Sequence, residues 1–162
     1  FMKQSYAIDS PKIGLLSNGS ESSKGNKLVK ETYPVLEADE SLNFVGNIEG
    51  NRALSGDCDV LVCDGFAGNQ VMKVTEGTAT RIITDIMKYA HRTGSDEIKK
   101  LGLHLMEIYD IGSLGGGYIL GITKPVIKAR GNAGEKAVVS IAGMFVNMAS
   151  NKAMFDKSKN KI

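Results

Sequence analysis

The amino-acid sequence predicts a three-layer α/β protein, with a mostly parallel sheet, an antiparallel edge hairpin and helices on both faces. Short, continuous apolar runs that are typical of buried parallel strands alternate with longer segments of helical periodicity. Near the C-terminus, two strand-like runs at residues 118–122 and 126–129 are separated by three residues, a distance typical of an antiparallel hairpin. Together these observations favour a parallel sheet that is covered by helices.

Three apolar runs predict the parallel strands, and each run is followed within three residues by a glycine. The runs are residues 13–16, 42–45 and 59–63. Because ligands of parallel sheets collect at the carboxyl ends of the strands, we expect the turns that follow to form one site, together with a fourth turn before the last helix. These turns are Ser17-Asn18-Gly19, Gly46-Asn47, Asp64-Gly65 and Gly131-Asn132.

Four segments have the periodicity of amphipathic helices. They cover residues 25–38, 71–90, 98–108 and 138–149. The segment 71–90 is the clearest, since apolar residues recur there at i, i+3, i+4 and i+7. Pro34 is expected to kink or shorten the first helix, because proline lacks the amide N–H that a helix interior needs.

The chain of 162 residues has the length of one ordinary domain. Hydrophobic residues make up 42% and charged residues 23%, close to the averages of folded domains, which excludes a disordered or fibrous chain. We therefore expect a single α/β domain over residues 1–151, followed by a basic tail over residues 152–162 that frays. Strand-like sequence closely follows Phe1 and Met2, which indicates a domain excised from a longer protein.

Charge and cysteine content exclude several classes of partner and compartment. The net charge of +2 provides no global basic field for nucleic acid, and it allows at most a peripheral contact with a membrane. No apolar run approaches the roughly 20 residues of a membrane span. Two cysteines are too few to frame a secreted domain, so we expect a cytoplasmic protein.

Neither a metal nor a cofactor is predicted. The histidines and cysteines of the chain are Cys58, Cys63, His91 and His104. Their spacing does not match that of a metal site. No G-x-G-x-x-G or P-loop pattern occurs between a strand and a helix, which argues against a dinucleotide or a nucleoside triphosphate.

The turn after the third strand has the residue types of an anion site. Gly65 and Gly68 allow the backbone to approach a ligand, and Asn69 begins a helix whose free N–H groups attract anions. Lys73, one turn further, adds a positive charge, while Asp64 could orient a donor or an attacking group. The alternative is that this segment is an ordinary turn and that Lys73 is a solvated helix residue.

Two further turns have a similar composition. Asn18 and Gly19, followed by Lys24 and Gly25, place polar side chains and flexible backbone between a strand end and a helix start. Asn47 has the same position after the second strand. Helix capping and loop structure are the alternative roles for these residues.

Five short motifs carry a resemblance to a known family. They are residues 11–19 (PKIGLLSNG), 24–26 (KGN), 43–50 (NFVGNIEG), 62–69 (VCDGFAGN) and 73–77 (KVTEG). In order and spacing they resemble the C-terminal half of PlsX-type phosphate acyltransferases. The resemblance covers residues 11–149 and weakens after residue 77.

The resemblance implies a phosphotransacetylase-like fold, of the isocitrate and isopropylmalate dehydrogenase type, with the active site in a cleft between two halves. It implies transfer of an acyl group from a thioester, on an acyl carrier or a partner subunit, to inorganic phosphate, which yields an acyl phosphate. The chain would then be about half of an enzyme that forms a homodimer or a hetero-oligomer.

Thioester phosphorolysis needs a bound phosphate beside the carbonyl and donors for the developing oxyanion. Lys73 and the amides of the turn after Asp64 are the candidate phosphate anchors. Asn18 and Asn132 are candidate donors to the carbonyl or the phosphate. Arg130, beside Gly131, is a second anion contact, and the Asp64 carboxylate orients the reacting groups.

Two departures from the PlsX pattern favour a divergent branch. Residues 111–121 replace a Glu-Tyr-Gly-Gly-Ala-Pro-Leu-Leu-Gly type of loop, and residues 130–133 read Arg-Gly-Asn-Ala where His-Gly-Ser-Ser is usual. One such branch is the alpha subunit of component C of the glycine, sarcosine and betaine reductase complexes, which forms acetyl phosphate. The polar sequence of residues 93–97 favours such a small substrate or a protein partner. A third hypothesis is a non-catalytic anion-binding or subunit-interaction domain.

Overall fold

The computed structural model describes residues 1–109, 115–122, 124, 126–129 and 134–150. The basic tail over residues 152–162 lies outside this described part of the chain. A short 3₁₀ turn, Gly50–Arg52, follows the second strand. In chain order, the described helices and strands are α1 (Met2–Tyr6), β1 (Lys12–Ser17), α2 (Lys27–Glu37), β2 (Asn43–Glu49), β3 (Val60–Val62), α3 (Gly65–Thr93), α4 (Asp96–Ile108), β4 (Gly116–Ile119), β5 (Val126–Ala129) and α5 (Glu135–Ser150).

The order and pairing of the strands confirm the predicted α/β class. β1 pairs in parallel with β2 and with β3, which gives the strand order β2-β1-β3. β4 and β5 pair antiparallel, as their spacing predicts, and form a two-stranded sheet of their own. The helix α1 was not predicted, because the sequence after Met2 has the pattern of a strand.

The chain divides into two compact units. The first, here called the N-terminal unit, comprises residues 6–75 with Met2. The second, the C-terminal unit, comprises the chain from Glu76 onward with Phe1 and residues 3–5. The single domain predicted over residues 1–151 stays a prediction.

The core of the N-terminal unit lies along β1, the middle strand of its sheet. Leu15, Leu16 and Ile48 are buried, as expected for apolar runs that are covered on both faces. Gly14 has no room for a side chain, because an added Cβ would lie 2.5 Å from Ile48 Cγ1. The absence of a side chain at this position therefore lets the neighbouring strand pack closely against β1.

The second strand is longer than the sequence predicts, and the predicted turn at Gly46 and Asn47 is wrong. β2 continues to Glu49, and its register with β1 shifts between Ile13 and Gly14. Phe44 faces Ile13 and Gly46 faces Gly14, so Val45 is the extra residue of a β-bulge. Gly46 has a φ of +90°, a conformation that favours glycine in a bulge as well as in a turn.

The helix α2 begins two residues later than predicted, where its cap requires it to begin. The Val29 N–H donates to Asn26 Oδ1 over 2.9 Å, which makes Asn26 the N-cap. The helix continues through Pro34 to Glu37, and the Ala38 N–H donates to the Pro34 carbonyl oxygen over 3.0 Å. Pro34 itself donates no N–H to the Lys30 carbonyl oxygen, and the helix ends one turn later.

The C-terminal unit contains most of α3, α4, the hairpin and α5. Gly102 of α4 approaches α3 so closely that an added Cβ would lie 2.5 Å from Met87 Sδ. Gly115 approaches α5, with an added Cβ 2.6 Å from the Ala137 carbonyl oxygen. Among the described helices, none combines the length and the apolar composition that a membrane span requires.

The buried apolar residues of β2 should determine the stability of the N-terminal unit. We expect Ile48→Ala, at a side chain that is 7% exposed, to lower the free energy of unfolding by about 2–5 kcal/mol. The control Leu54→Ala removes a similar side chain that is 70% exposed and should change it by less than about 0.5 kcal/mol. Urea denaturation followed by circular dichroism measures both, and equal losses would contradict the placement of the core.

Candidate functional site

A cleft of about 670 Å³ opens in the N-terminal unit where β1 and β3 end. The starts of α2 and α3 form its other walls. The strand ends and helix starts contribute Ser17, Asn18, Asn26 and Asp64, here called the polar end of the cleft. Apolar side chains predominate in the rest of the lining, among them Leu16, Leu28, Val29, Val62, Ala67 and Val71. A cleft therefore opens where the sequence predicts a site, at the carboxyl ends of parallel strands, and its lining is mainly apolar. That it is a functional site stays a prediction.

Asp64 is the N-cap of α3. Its Oδ1 accepts hydrogen bonds from the N–H groups of Phe66 and Ala67, each over 2.8 Å. Its carbonyl oxygen accepts the Gly68 N–H over 3.0 Å. The carboxylate that sequence analysis assigned to orienting the reacting groups thus holds the first turn of the helix.

This cap disfavours the binding of a phosphate at the start of α3. Two of the amides that were expected to bind the anion already donate to Asp64 Oδ1. A phosphate at these two amides would have to displace the Asp64 carboxylate or lie beside it, and the two negative charges would repel each other at such close range. Phosphate anchoring by these amides stays a prediction, and the geometry offers it little support.

The other residues of this predicted turn have different surroundings. An added Cβ at Gly68 would lie 2.6 Å from Cys63 Sγ, so the glycine permits close packing of α3 on the end of β3. Gly65 has no atom within 4 Å of an added Cβ among the described residues. Asn69 is exposed and does not line the cleft.

Lys73 lies on a different side of α3 from the cleft. Ala67 and Val71, four residues apart, line the cleft, and Lys73 is about 200° around the helix axis from Val71. The side chain of Lys73 is exposed and does not belong to the lining. The structure therefore does not bring Lys73 together with Asn18 and Asp64 in this cleft.

The loop between β1 and α2 is closed by Asn18. The Gly25 N–H donates to Asn18 Oδ1 over 2.8 Å, and Gly25 has a φ of +106°. An added Cβ at Gly25 would lie 2.4 Å from Val29 Cγ1, and one at Gly19 would lie 2.6 Å from Lys24 Cγ. Both glycines are therefore required by close contacts within the loop.

Asn18 keeps one donor at the polar end of the cleft. Its carboxamide oxygen is used by Gly25, while its Nδ2 donates to no acceptor in the described part of the chain. The side chain is exposed and lines the cleft. Of the predicted donors, Asn18 is the one whose described geometry leaves an N–H group for a ligand.

Asn47 lies inside β2 rather than in a turn at the sheet edge, and it is 5% exposed. Its Nδ2 donates to the Glu21 carbonyl oxygen over 2.8 Å, and this bond attaches the loop between β1 and α2 to β2. Its Oδ1 and the Ser17 hydroxyl are buried with no hydrogen-bond partner among the described residues. The sequence placed Ser17 in the turn after β1 but gave no reason to assign it a role of its own, and its burial is decided by the tertiary structure.

The remaining predicted residues, Arg130, Gly131 and Asn132, lie outside the described residues, and their roles stay predictions. Within the described ranges no group of three or more His, Cys, Asp and Glu residues could hold a metal ion. Cys63, at the cleft, is exposed. Partial burial, and then the charge of Asp64, raise the pKa of its thiol. The thiol is therefore protonated at neutral pH and is a poor nucleophile.

Comparison with known proteins identifies the family to which the chain belongs. Residues 1–154 match the family described as fatty acid synthesis protein. The chain is 44% identical over 148 residues to the phosphate acyltransferase of Streptococcus pneumoniae strain Spain 23F-1, and 43% identical to that of strain Hungary19A-6. In both matches the alignment covers 86% of this chain and 44% of the relative. The chain thus spans less than half the length of these relatives.

The raised pKa of Cys63 can be measured directly. We expect the rate of alkylation by iodoacetamide to reach half its maximum at a higher pH for Cys63 than for free cysteine, because burial and Asp64 disfavour the thiolate. Asp64→Asn should lower this midpoint, since asparagine still caps a helix but carries no charge. Mass spectrometry of the modified peptide resolves Cys63 from Cys58, and a midpoint at or below that of free cysteine would show the assignment to be wrong.

The backbone of Gly25 should tolerate no side chain. We expect Gly25→Ala to lower the free energy of unfolding by more than about 1 kcal/mol, because the left-handed conformation disfavours a Cβ and Val29 lies in its way. Gly77→Ala, in the middle of α3 with no described atom near the added Cβ, should instead raise it by about 1 kcal/mol. Thermal unfolding of the two variants tests this opposite sign.

Proposed function

Since the chain belongs to the fatty acid synthesis protein family, of PlsX type, we propose that it carries part of the active site of a phosphate acyltransferase. Its substrates are inorganic phosphate and an acyl thioester on an acyl carrier protein or a partner subunit. The observation that carries the proposal is the cleft at the ends of β1 and β3, whose polar end presents the Nδ2 donor of Asn18.

In the proposed reaction, an oxygen of phosphate attacks the thioester carbonyl carbon. A C–O bond forms and the C–S bond breaks, so that the carrier leaves as a thiolate, takes up a proton and the acyl phosphate remains. Negative charge develops on the carbonyl oxygen before the thiolate leaves, and an N–H donor at that position lowers the barrier. Asn18 Nδ2 is the proposed donor, and the Gly25 N–H bond to its Oδ1 sets the orientation of the carboxamide.

Phosphate binding is assigned to cations outside this cleft. The cleft itself has no lysine or arginine in its described lining. Lys73 and Arg130, with Gly131 and Asn132 beside it, are the proposed anion contacts. Asp64 acts indirectly, because its cap positions the first turn of α3 at the wall of the cleft.

The assembly and compartment follow from the same proposal. A homodimer or hetero-oligomer is the proposed assembly, as the resemblance to the PlsX family implies. The cytoplasm is the proposed compartment, because Cys58 and Cys63 are free thiols of the kind that reducing compartments maintain.

The sequence argument for an acetyl donor does not survive the structure. The polar sequence of residues 93–97, which favoured a small substrate, is explained by the junction of two helices. Gly94 has a φ of +67°, and the Ser95 hydroxyl accepts the Ile98 N–H over 3.4 Å as the N-cap of α4. Because capping accounts for these residues, they no longer argue for the acetyl-forming branch.

The test is made on the full-length protein with inorganic phosphate, with hydroxylamine to trap the acyl phosphate. We expect product from an acyl carrier protein that bears a long acyl chain. Asn18→Asp, which retains an acceptor for the Gly25 N–H but loses the Nδ2 donor, should lower kcat about 10²–10³-fold while the thermal unfolding midpoint changes little.

The outcomes separate the hypotheses. Product from an acetyl thioester alone would favour the glycine reductase type of acetyl phosphate formation. Phosphate binding without product from any donor would favour a non-catalytic domain. An Asn18→Asp variant with unchanged kcat would exclude Asn18 as the oxyanion donor.

A further inference from the structure

The apolar part of the cleft extends away from the polar end along two helices. On α2 it is lined by Leu28, Val29 and Thr32, whose hydroxyl donates to the Leu28 carbonyl oxygen over 2.8 Å, and on α3 by Ala67 and Val71. With a rise of 1.5 Å per residue, Val71 lies about 10 Å from Asp64 along the axis of α3. An elongated apolar ligand whose polar head lies at Asn18 would therefore contact side chains of both helices.

The charge of the cleft suits an acyl chain better than an anion. Asp64 is the one ionisable carboxylate of the described lining, and its Oδ1 already accepts two amide hydrogen bonds. The described lining contains no lysine or arginine that a hydrocarbon would leave without a partner, whereas a phosphate in the cleft would lie close to the negative charge of Asp64. The two substrates of the proposed reaction are thus separated by chemistry, with the hydrocarbon in the cleft.

The size and exposure of the cleft also indicate a ligand larger than acetyl. A volume of about 670 Å³ is within the range of sites for drug-sized molecules. Leu28, at the rim, is 52% exposed although it faces an apolar cleft. A long chain would cover this side chain, and each methylene that it buries raises affinity about fourfold.

We propose that this cleft holds the acyl chain of the thioester and that Val71, opposite α2, determines the chain length that the protein accepts. The inference rests on the proposed function, to which it adds the place of the hydrocarbon and the residue that limits its length. The carbonyl lies at Asn18, and the hydrocarbon lies between Leu28 and Val71.

The test compares a hexadecanoyl with a butanoyl thioester of acyl carrier protein in the hydroxylamine assay on the full-length protein. Val71→Phe narrows the cleft beyond Leu28 and should lower the ratio of kcat/KM for the long donor to that for the short donor at least tenfold. The matched control Val74→Phe makes the same change at a side chain that is 64% exposed and does not line the cleft, and it should leave the ratio unchanged.

A second variant avoids the risk of misfolding. Leu28→Ser changes a half-exposed rim residue, so the fold should tolerate it, and the ratio should fall about fourfold or more as apolar contact with the chain is lost. A ratio that neither Val71→Phe nor Leu28→Ser alters would overturn the inference. Wild-type turnover of the short donor alone would overturn it as well, while the acyl transfer itself would stand.

Binding of a fluorescent long-chain fatty acid to the wild-type protein and to Val71→Phe distinguishes the inference from the proposed function. Binding that Val71→Phe weakens at least tenfold, in a protein without turnover of any donor, would support the acyl-chain site and refute the acyltransferase. Absence of binding to the wild type, as expected if a protein segment fills the cleft, would refute the acyl-chain site whatever the turnover.

Discussion

The parallel pairing of β1 with both of its neighbours is the constraint on which the candidate site depends. β1 has a strand on each side, and its register places Leu15 beside Asn47 and Val62. At the start of the strand, the Lys12 N–H donates to Asp59 Oδ2 over 2.7 Å and its carbonyl oxygen accepts the Asp59 N–H over 2.9 Å. With the strands aligned in this way, the segments after β1 and β3 arrive at the same end of the sheet, and the cleft forms between them.

Short-range capping bonds then use much of the polarity at this end. The oxygen atoms of Asn18, Asn26 and Asp64 each accept a backbone N–H from a residue that follows within the same loop or helix turn. Such bonds fix the loops and satisfy amides that the helices leave unpaired. They also remove acceptors and donors from the set that a ligand can use, and among the described residues they leave the Nδ2 groups of Asn18 and Asn26 and the Ser17 hydroxyl as donors at the cleft.

The proposed reaction brings together two substrates of opposite character, a hydrocarbon chain and a multiply charged anion. The two need different surroundings, because apolar side chains that favour a hydrocarbon leave a buried anion without hydrogen-bond or ion partners. The cleft has an apolar interior with one polar end, and Lys73 is on another side of α3. In the proposal, therefore, the hydrocarbon lies in the cleft, and the contacts to phosphate come from groups outside its described lining.

Local sequence determined the class of fold, the approximate strands, the long helix α3 and the hairpin pairing, because these depend on apolar periodicity and on residues near one another in the chain. It also indicated the strand ends at Asn18 and Asp64. Only the tertiary structure decided that Gly46 belongs to a bulge and that Asn47 is buried inside β2. Both facts depend on the register with β1, and a glycine with positive φ has the same sequence signature in a turn and in a bulge. The side of α3 that faces the cleft was likewise decided by packing against the sheet, which separates Lys73 from Asp64 although the two lie nine residues apart in the chain.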